Sequence, residues 1–128
     1  MPVEIGWRAG KRLLGVRYHG KITADDVRRL TEQMGKIVKE GTAPIHVVID
    51  ASGVSGVGIG LGDLRSLSTP NFPEIGWMAI IAPNAVYRFF ISIGVQFSRG
   101  KYKFVNSVDE AERFLVEQDS TLEDVLET

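Results

Sequence analysis

The sequence predicts an α/β fold: a mixed, mainly parallel sheet with an N-terminal β-hairpin and helices on both faces, in the order β-β-α-β-α-β-α-β-α. Three observations predict it. Two stretches in which apolar and polar residues alternate, 3–9 and 13–20, flank a turn from Ala9 to Arg12, as in a hairpin. Two short apolar runs, "IHVVID" (45–50) and "GWMAIIAP" (76–83), lack that alternation and read as strands buried on both faces of a parallel sheet. Between and after them the apolar spacing becomes helical, and strands that alternate with helices imply parallel pairing through helical crossovers.

After the hairpin, Thr23 caps a helix over 24–40, with Asp26 completing an acidic variant of the capping box. Val27, Leu30, Met34, Ile37 and Val38 share one face of it, and Gly41 ends it ahead of Pro44. The first buried strand leads into the glycine-rich stretch "ASGVSGVGIGLGDL" (51–64), read as a loop, then into a short helix near 61–68 and the turn-forming "STPNFPE" (68–74). Asn84 caps a helix over 85–98, which Gly100 ends. "YKFV" (102–105) is the last strand. "SVDE" (107–110) is a full capping box that opens a helix through Gln118, and Ser120 with Glu123 repeats the signature for a short acidic tail helix.

A chain of 128 residues with 44% hydrophobic and 24% charged side chains fits one domain, 1–128, around one core. Fifteen Lys and Arg stand against sixteen Asp and Glu, so no strong positive field invites nucleic acid. Cysteine is absent, which excludes disulfides, thiolate metal sites and cysteine nucleophiles and suits a reducing compartment. Charge interrupts the apolar runs of the first twenty residues, so neither a signal peptide nor a membrane span is expected there, and the expected location is the cytoplasm.

Ligands of parallel sheets gather beyond the carboxyl ends of the strands. The candidate partner- or ligand-binding set is therefore Asp50, Ser52, Gly53, Ser55, Gly56, Gly58, Gly60, Gly62 and Asp63. A phosphate loop would need a lysine and a hydroxyl after its last glycine, and a dinucleotide site would need G-x-G-x-x-G; the stretch has neither, and Asp63 sets negative charge where an anion would lie. Serine chemistry needs a base in reach. The histidines are His19 and His46, and His46 lies about 13 Å along the strand from Asp50. No catalytic residue, metal site or cofactor is predicted, and an enzyme is not expected. The local reading is that Asp50 accepts N–H bonds near Ser52 or Gly53, that the glycines supply positive φ and close packing, and that the histidines are structural.

In "NAVYRFFISIGVQFSRG" (84–100), Val86, Phe89, Phe90, Ile93 and Phe97 form one helical stripe and Arg88, Ser92, Gln96 and Arg99 a polar strip. Tyr87, Ile91 and Val95 lie on a flank between them with Gly94. Three readings stay open for that flank: packing on a neighbouring helix, a subunit interface, or the wall of an apolar pocket. A homodimer suits the second, since isologous pairs are the commonest oligomers. A small apolar or lipid-like ligand suits the third. Residues 84–106 hold Arg88, Arg99, Lys101 and Lys103 without an acid, whereas 107–128 hold eight acids against Arg113. That asymmetry reads as solvated faces, or as a basic edge for an anionic membrane surface. Trp7 and Trp77 read as core.

Taken in order, "YHGKITADD", "HVVIDASGVSG", "MAIIAP" and "KYKFVNSVDEAERFLVEQ" resemble the SpoIIAA-like proteins, relatives of the STAS domain of anti-sigma-factor antagonists, over nearly the whole chain. The resemblance implies a STAS-like fold and a regulatory protein partner bound around the loop after the first buried strand. It also implies a switch, phosphorylation of a serine in an Asp-Ser-Ser-Gly stretch. Here Gly58, Ile59, Gly60 and Leu61 stand where that stretch would fall, so the phosphoacceptor is missing, and Ser52 and Ser55 lie earlier. The expectation is a non-catalytic protein-interaction or regulatory module. The alternative is a carrier or sensor of a small apolar ligand with peripheral membrane association.

Overall fold

The computed structural model describes residues 3–58, 73–82 and 101–126. These form β1 (Val3–Ala9), β2 (Leu13–Thr23), α1 (Ala24–Ile37) with a 3-10 turn (Val38–Glu40), β3 (Ile45–Gly58), β4 (Ile75–Ile81), β5 (Lys101–Val105), α2 (Val108–Gln118) and α3 (Leu122–Leu126). The sheet order is β1-β2-β3-β4-β5. β1 runs antiparallel to β2, and every later neighbour is parallel. This is the mixed, mainly parallel sheet expected from the hairpin and the two buried runs. The helices predicted near 61–68 and 85–98 lie outside the described residues.

Local signals explain most boundaries. At the hairpin, Arg12 N–H donates to Ala9 C=O at 3.1 Å. Gly10 and Lys11 between them are left-handed, with φ of 51° and 57°, the mirror-image turn whose twist matches that of paired strands. At the start of α1, Thr23 Oγ1 accepts the Asp26 N–H at 3.4 Å and Asp26 Oδ2 accepts the Thr23 N–H at 2.9 Å, so both halves of the capping box form. The box at α2 is displaced: Ser107 Oγ accepts from Glu110 N–H at 3.1 Å, but the Glu110 carboxylate takes the N–H of Asn106, at 2.9 Å, instead of that of Ser107.

The sheet divides the core in two by the period-two alternation of its strands. Leu14, Val16, Val47, Ile49, Met78 and Ile80 face Leu30 and Met34 of α1 and the neighbouring Val38. Leu13, Val48, Ala79, Ile81 and Val105 face Ala111, Phe114 and Leu115 of α2 and Leu122 of α3. Both tryptophans pack on the core, Trp7 against the first cluster and Trp77 against the second, with its ring edge-on to Phe114 at 5.3 Å between centroids.

Gly41 ends the α1 region for a different reason from the one its position suggests. Its φ is −95°, ordinary extended backbone, so no left-handed cap requires glycine. Space does: a Cβ there would stand 2.5 Å from Trp7 Cη2 and 2.8 Å from both Ile45 Cδ1 and the Lys11 carbonyl oxygen. Gly41→Ala is expected to lower stability by about 1–3 kcal/mol, the usual cost of forcing extra atoms into a packed core. Urea unfolding monitored by tryptophan fluorescence measures it, and an unchanged midpoint would contradict the packing of Trp7 over Gly41.

Candidate functional site

The pairing of β3 with β4 stops at Asp50 and Ile81, whereas its pairing with β2 runs on to Thr23 and Gly58. The glycine-rich stretch is therefore not a loop over 51–58 but a continuation of β3. With His19–Thr23 it makes a two-stranded parallel ribbon that passes the carboxyl end of β4. The ladder slips twice, between Arg17 and His19 and between Gly20 and Lys21, as β-bulges do. Positive φ belongs to Gly20 of β2, at 69°, and not to Gly53, Gly56 or Gly58, which corrects the expectation for those glycines.

Two of the glycines make room across the ribbon. A Cβ at Gly53 would stand 3.1 Å from His19 Cβ and 3.3 Å from the Tyr18 carbonyl oxygen, and one at Gly58 would stand 2.9 Å from Lys21 Cε. Val54 turns inward onto the first cluster, while Ser52, Gly53, Ser55 and Gly58 are exposed. Asp50 Oδ1 accepts the Ser52 N–H at 3.0 Å and the Ser52 hydroxyl at 2.6 Å, the local bonding that the sequence suggests. The structure thus gathers Asp50, Ser52, Gly53, Ser55, Gly56 and Gly58 on one ribbon. Gly60, Gly62, Asp63, Tyr87, Ile91 and Val95 lie outside the described residues.

Beside the ribbon, burial and then the charge of Asp26 push the Tyr18 phenol well above its ordinary pKa, so its hydroxyl stays protonated. On β5, Lys101 Nζ sits 5.6 Å from the centre of the Trp77 ring and Lys103 Nζ 4.8 Å from that of Phe114. Those two members of the basic stretch lean on the aromatic side chains of the second core face. Among the described residues no group of three or more His, Asp or Glu side chains could hold a metal ion, and no helix is long and apolar enough to cross a membrane.

A second polar cluster, missed by sequence reasoning, lies at the amino end of β3. His46 is 3% exposed. Its Nδ1 accepts the Trp77 N–H at 3.0 Å, so the proton sits on Nε2, which donates to Asp119 Oδ2 at 2.9 Å. Arg12 Nη2 donates to the same oxygen at 2.8 Å and to the Pro44 carbonyl at 3.2 Å, and Arg12 Nη1 donates to Thr121 Oγ1 at 2.6 Å. The other Asp119 oxygen accepts the Thr121 N–H at 3.1 Å and its hydroxyl at 2.5 Å. Gly76 leaves room for the imidazole: a Cβ there would lie 2.7 Å from His46 Cε1. The partner of His46 is thus Asp119, 73 positions away, and not a nearby acid. The Asp-x-Thr spacing of 119–121 marks a local turn in the sequence, but nothing local ties it to His46.

The Asp119 carboxyl is held well below the usual carboxylate range, by the Thr121 hydroxyl first and His46 second, against the opposing effect of burial. Both ring nitrogens of His46 serve the fold. The cluster fastens the β1–β2 turn, β3, β4 and the segment after α2 to one another.

Three comparisons bear on these geometries. The SpoIIAA-like family model matches residues 13–116. An uncharacterised protein with a SpoIIAA-like fold from Shewanella loihica is similar in structure, 21% identical, with a TM-score of 0.60 over 88% of this chain and 91% of that one. An anti-sigma factor antagonist from Mycobacterium paratuberculosis is 18% identical, with a TM-score of 0.54 over the same shares. At these identities the likeness shows the fold. No curated protein matches the chain.

Asp119→Ala is expected to lower stability by about 2–3 kcal/mol at neutral pH, because it leaves the buried His46 Nε2–H and the Arg12 guanidinium without their shared acceptor. Since folding depresses the Asp119 pKa, its ionised form stabilises the folded state fully above the unfolded value of about 3.9. That contribution falls away as the pH drops from there toward the depressed value. The gap between wild type and variant should therefore narrow below about pH 4. Chemical denaturation at several pH values measures it, and a gap that widens on acidification would contradict the network.

Proposed function

We propose that this chain, which belongs to the SpoIIAA-like family, is a single-domain, non-catalytic cytoplasmic module that binds a regulatory protein partner through the β2–β3 ribbon. The observation that carries the proposal is the extension of β3 past β4, which sets Ser52, Gly53, Ser55 and Gly58 in solvent on a paired, extended backbone. A small, polar, glycine-rich surface on a preformed strand pair suits recognition by shape and backbone hydrogen bonds, at low ordering cost. The fold likeness to an anti-sigma factor antagonist supports the same class of role.

The chemistry of the polar groups favours binding over catalysis. Asp50 is engaged by Ser52, and His46 is buried with both ring nitrogens engaged. Neither offers a base to a nucleophile from outside. The carrier alternative draws on the sequence of residues 84–100, which lie outside the described residues.

Site-specific photo-crosslinking in cells tests the proposal. A benzophenone side chain in place of Ser55 is expected to capture one partner protein, and the same probe in place of Gln33, on the exposed face of α1, is expected to capture none of it. Equal capture from both positions, or none from position 55, would overturn the assignment of the ribbon as the binding surface.

A further inference from the structure

We propose that two copies of this chain associate through the outer edge of β1, pairing antiparallel about a two-fold axis at Gly6. Among the described residues β1 ends the sheet, so one side of its backbone has no strand beside it. Such an edge is a template for another strand.

The residue pattern of β1 is complementary to itself. An axis through Gly6 sets Glu4 of each copy opposite Arg8 of the other and Ile5 opposite Trp7; beyond Trp7 the strand bulges and Ala9 turns to the second core cluster, so the pairing covers residues 4–8. Opposite charges meet twice and apolar side chains meet twice, as an isologous interface requires. Moving the axis to Ile5 or Trp7 sets Glu4 or Arg8 opposite Gly6 and loses both ion pairs, so the charges select one register. Glu4 and Arg8 are exposed, while Ile5 and Trp7 are half-buried against the first core cluster and would be covered further.

Gly6 supports the same axis. A Cβ there would meet nothing within 4 Å, and its φ is not positive, so neither crowding nor turn geometry within the chain calls for glycine. Gly15, paired with it on β2, contrasts sharply: a Cβ there would lie 2.8 Å from Arg8 Cγ. A glycine inside a strand often marks the close approach of another backbone. Within one copy Arg8 Nη2 donates to Glu112 at 2.9 Å, and His19 Nε2 lies 3.7 Å from Glu4 Oε1. The five donors of a guanidinium let Arg8 keep Glu112 while reaching Glu4 of the second copy. The β1 edge and the β2–β3 ribbon lie on opposite sides of β2, so this interface and the partner-binding reading can fail independently.

The chain has no cysteine, so a single one reports proximity cleanly. Gly6→Cys, a change the open space tolerates, is expected to form a disulfide-linked dimer under mild oxidation. Ser52→Cys, on the ribbon, is expected to do so at least about tenfold more slowly, because only the first pair faces itself across the axis. In native mass spectrometry wild type is expected to be a dimer. Glu4→Arg and Arg8→Glu, each checked for folding by circular dichroism, are each expected to weaken it by about tenfold or more, since both equivalent contacts become like-charged. An equimolar mixture of these two variants is expected to form the heterodimer, because every contact is again opposite in charge. Cross-linking of Gly6→Cys no faster than Ser52→Cys, a monomeric wild type, or a mixture that stays monomeric would each overturn the proposal.

Discussion

β3 is the element on which the remainder depends, because it is the one strand that both core clusters and both polar sites share. Ile45, Val47 and Ile49 face α1 while Val48 faces α2, all four buried. Fully burying such side chains is worth roughly 1.5–3 kcal/mol each, which fixes the strand in direction and register. Once fixed, β3 has only two places for polar chemistry, its ends. His46 occupies the amino end, and Asp50 opens the carboxyl end.

The two ends have opposite physical characters. At the amino end a buried imidazole would be costly unless both nitrogens were satisfied, and the Trp77 N–H and the Asp119 carboxylate satisfy them. Arg12 and Thr121 then satisfy Asp119, so segments distant in sequence are held by one closed set of bonds. At the carboxyl end the strand leaves β4 behind and, among the described residues, keeps only β2, with Ser52, Gly53, Ser55 and Gly58 in solvent. The stable end is saturated with bonds. The ribbon end presents backbone and serines to solvent, and under the proposed reading it is the surface that gains most from being preformed.

How much of this was legible in the sequence follows from the range of each signal. The caps at Thr23 and Ser107 are written within three residues of the helix starts, and α2 ends at Gln118 as its pattern implies. The hairpin shows in the alternation of 3–9 and 13–20 on either side of a turn from Ala9 to Arg12. The continuation of β3 did not show, because glycine at 53, 56, 58 and beyond reads as loop punctuation, while its strand conformation is imposed by pairing with residues 19–23 of β2. The sequence sets Gly41 where the helical segment stops, after the 3-10 turn that follows α1, but what requires glycine there is the Trp7 ring, far away in the chain. The His46–Asp119 pair was out of reach for the same reason: contacts between remote segments leave no local periodicity. Tyr87, Ile91 and Val95 remain an expectation of the sequence, outside the described residues.

The family match accounts for the architecture, within which the ribbon is a strand made largely of Gly, Ser and Val, held extended by β2 alone among the described residues. Amide hydrogen exchange on the free chain tests that claim most directly. Protection is predicted to run through β3 from Ile45 past Asp50 to Gly58, with matching protection in residues 19–23 of β2. Protection that ends at Ala51, with rapid exchange from Ser52 onward, would mean that the stretch is a loop after all and that no preformed ribbon awaits a partner.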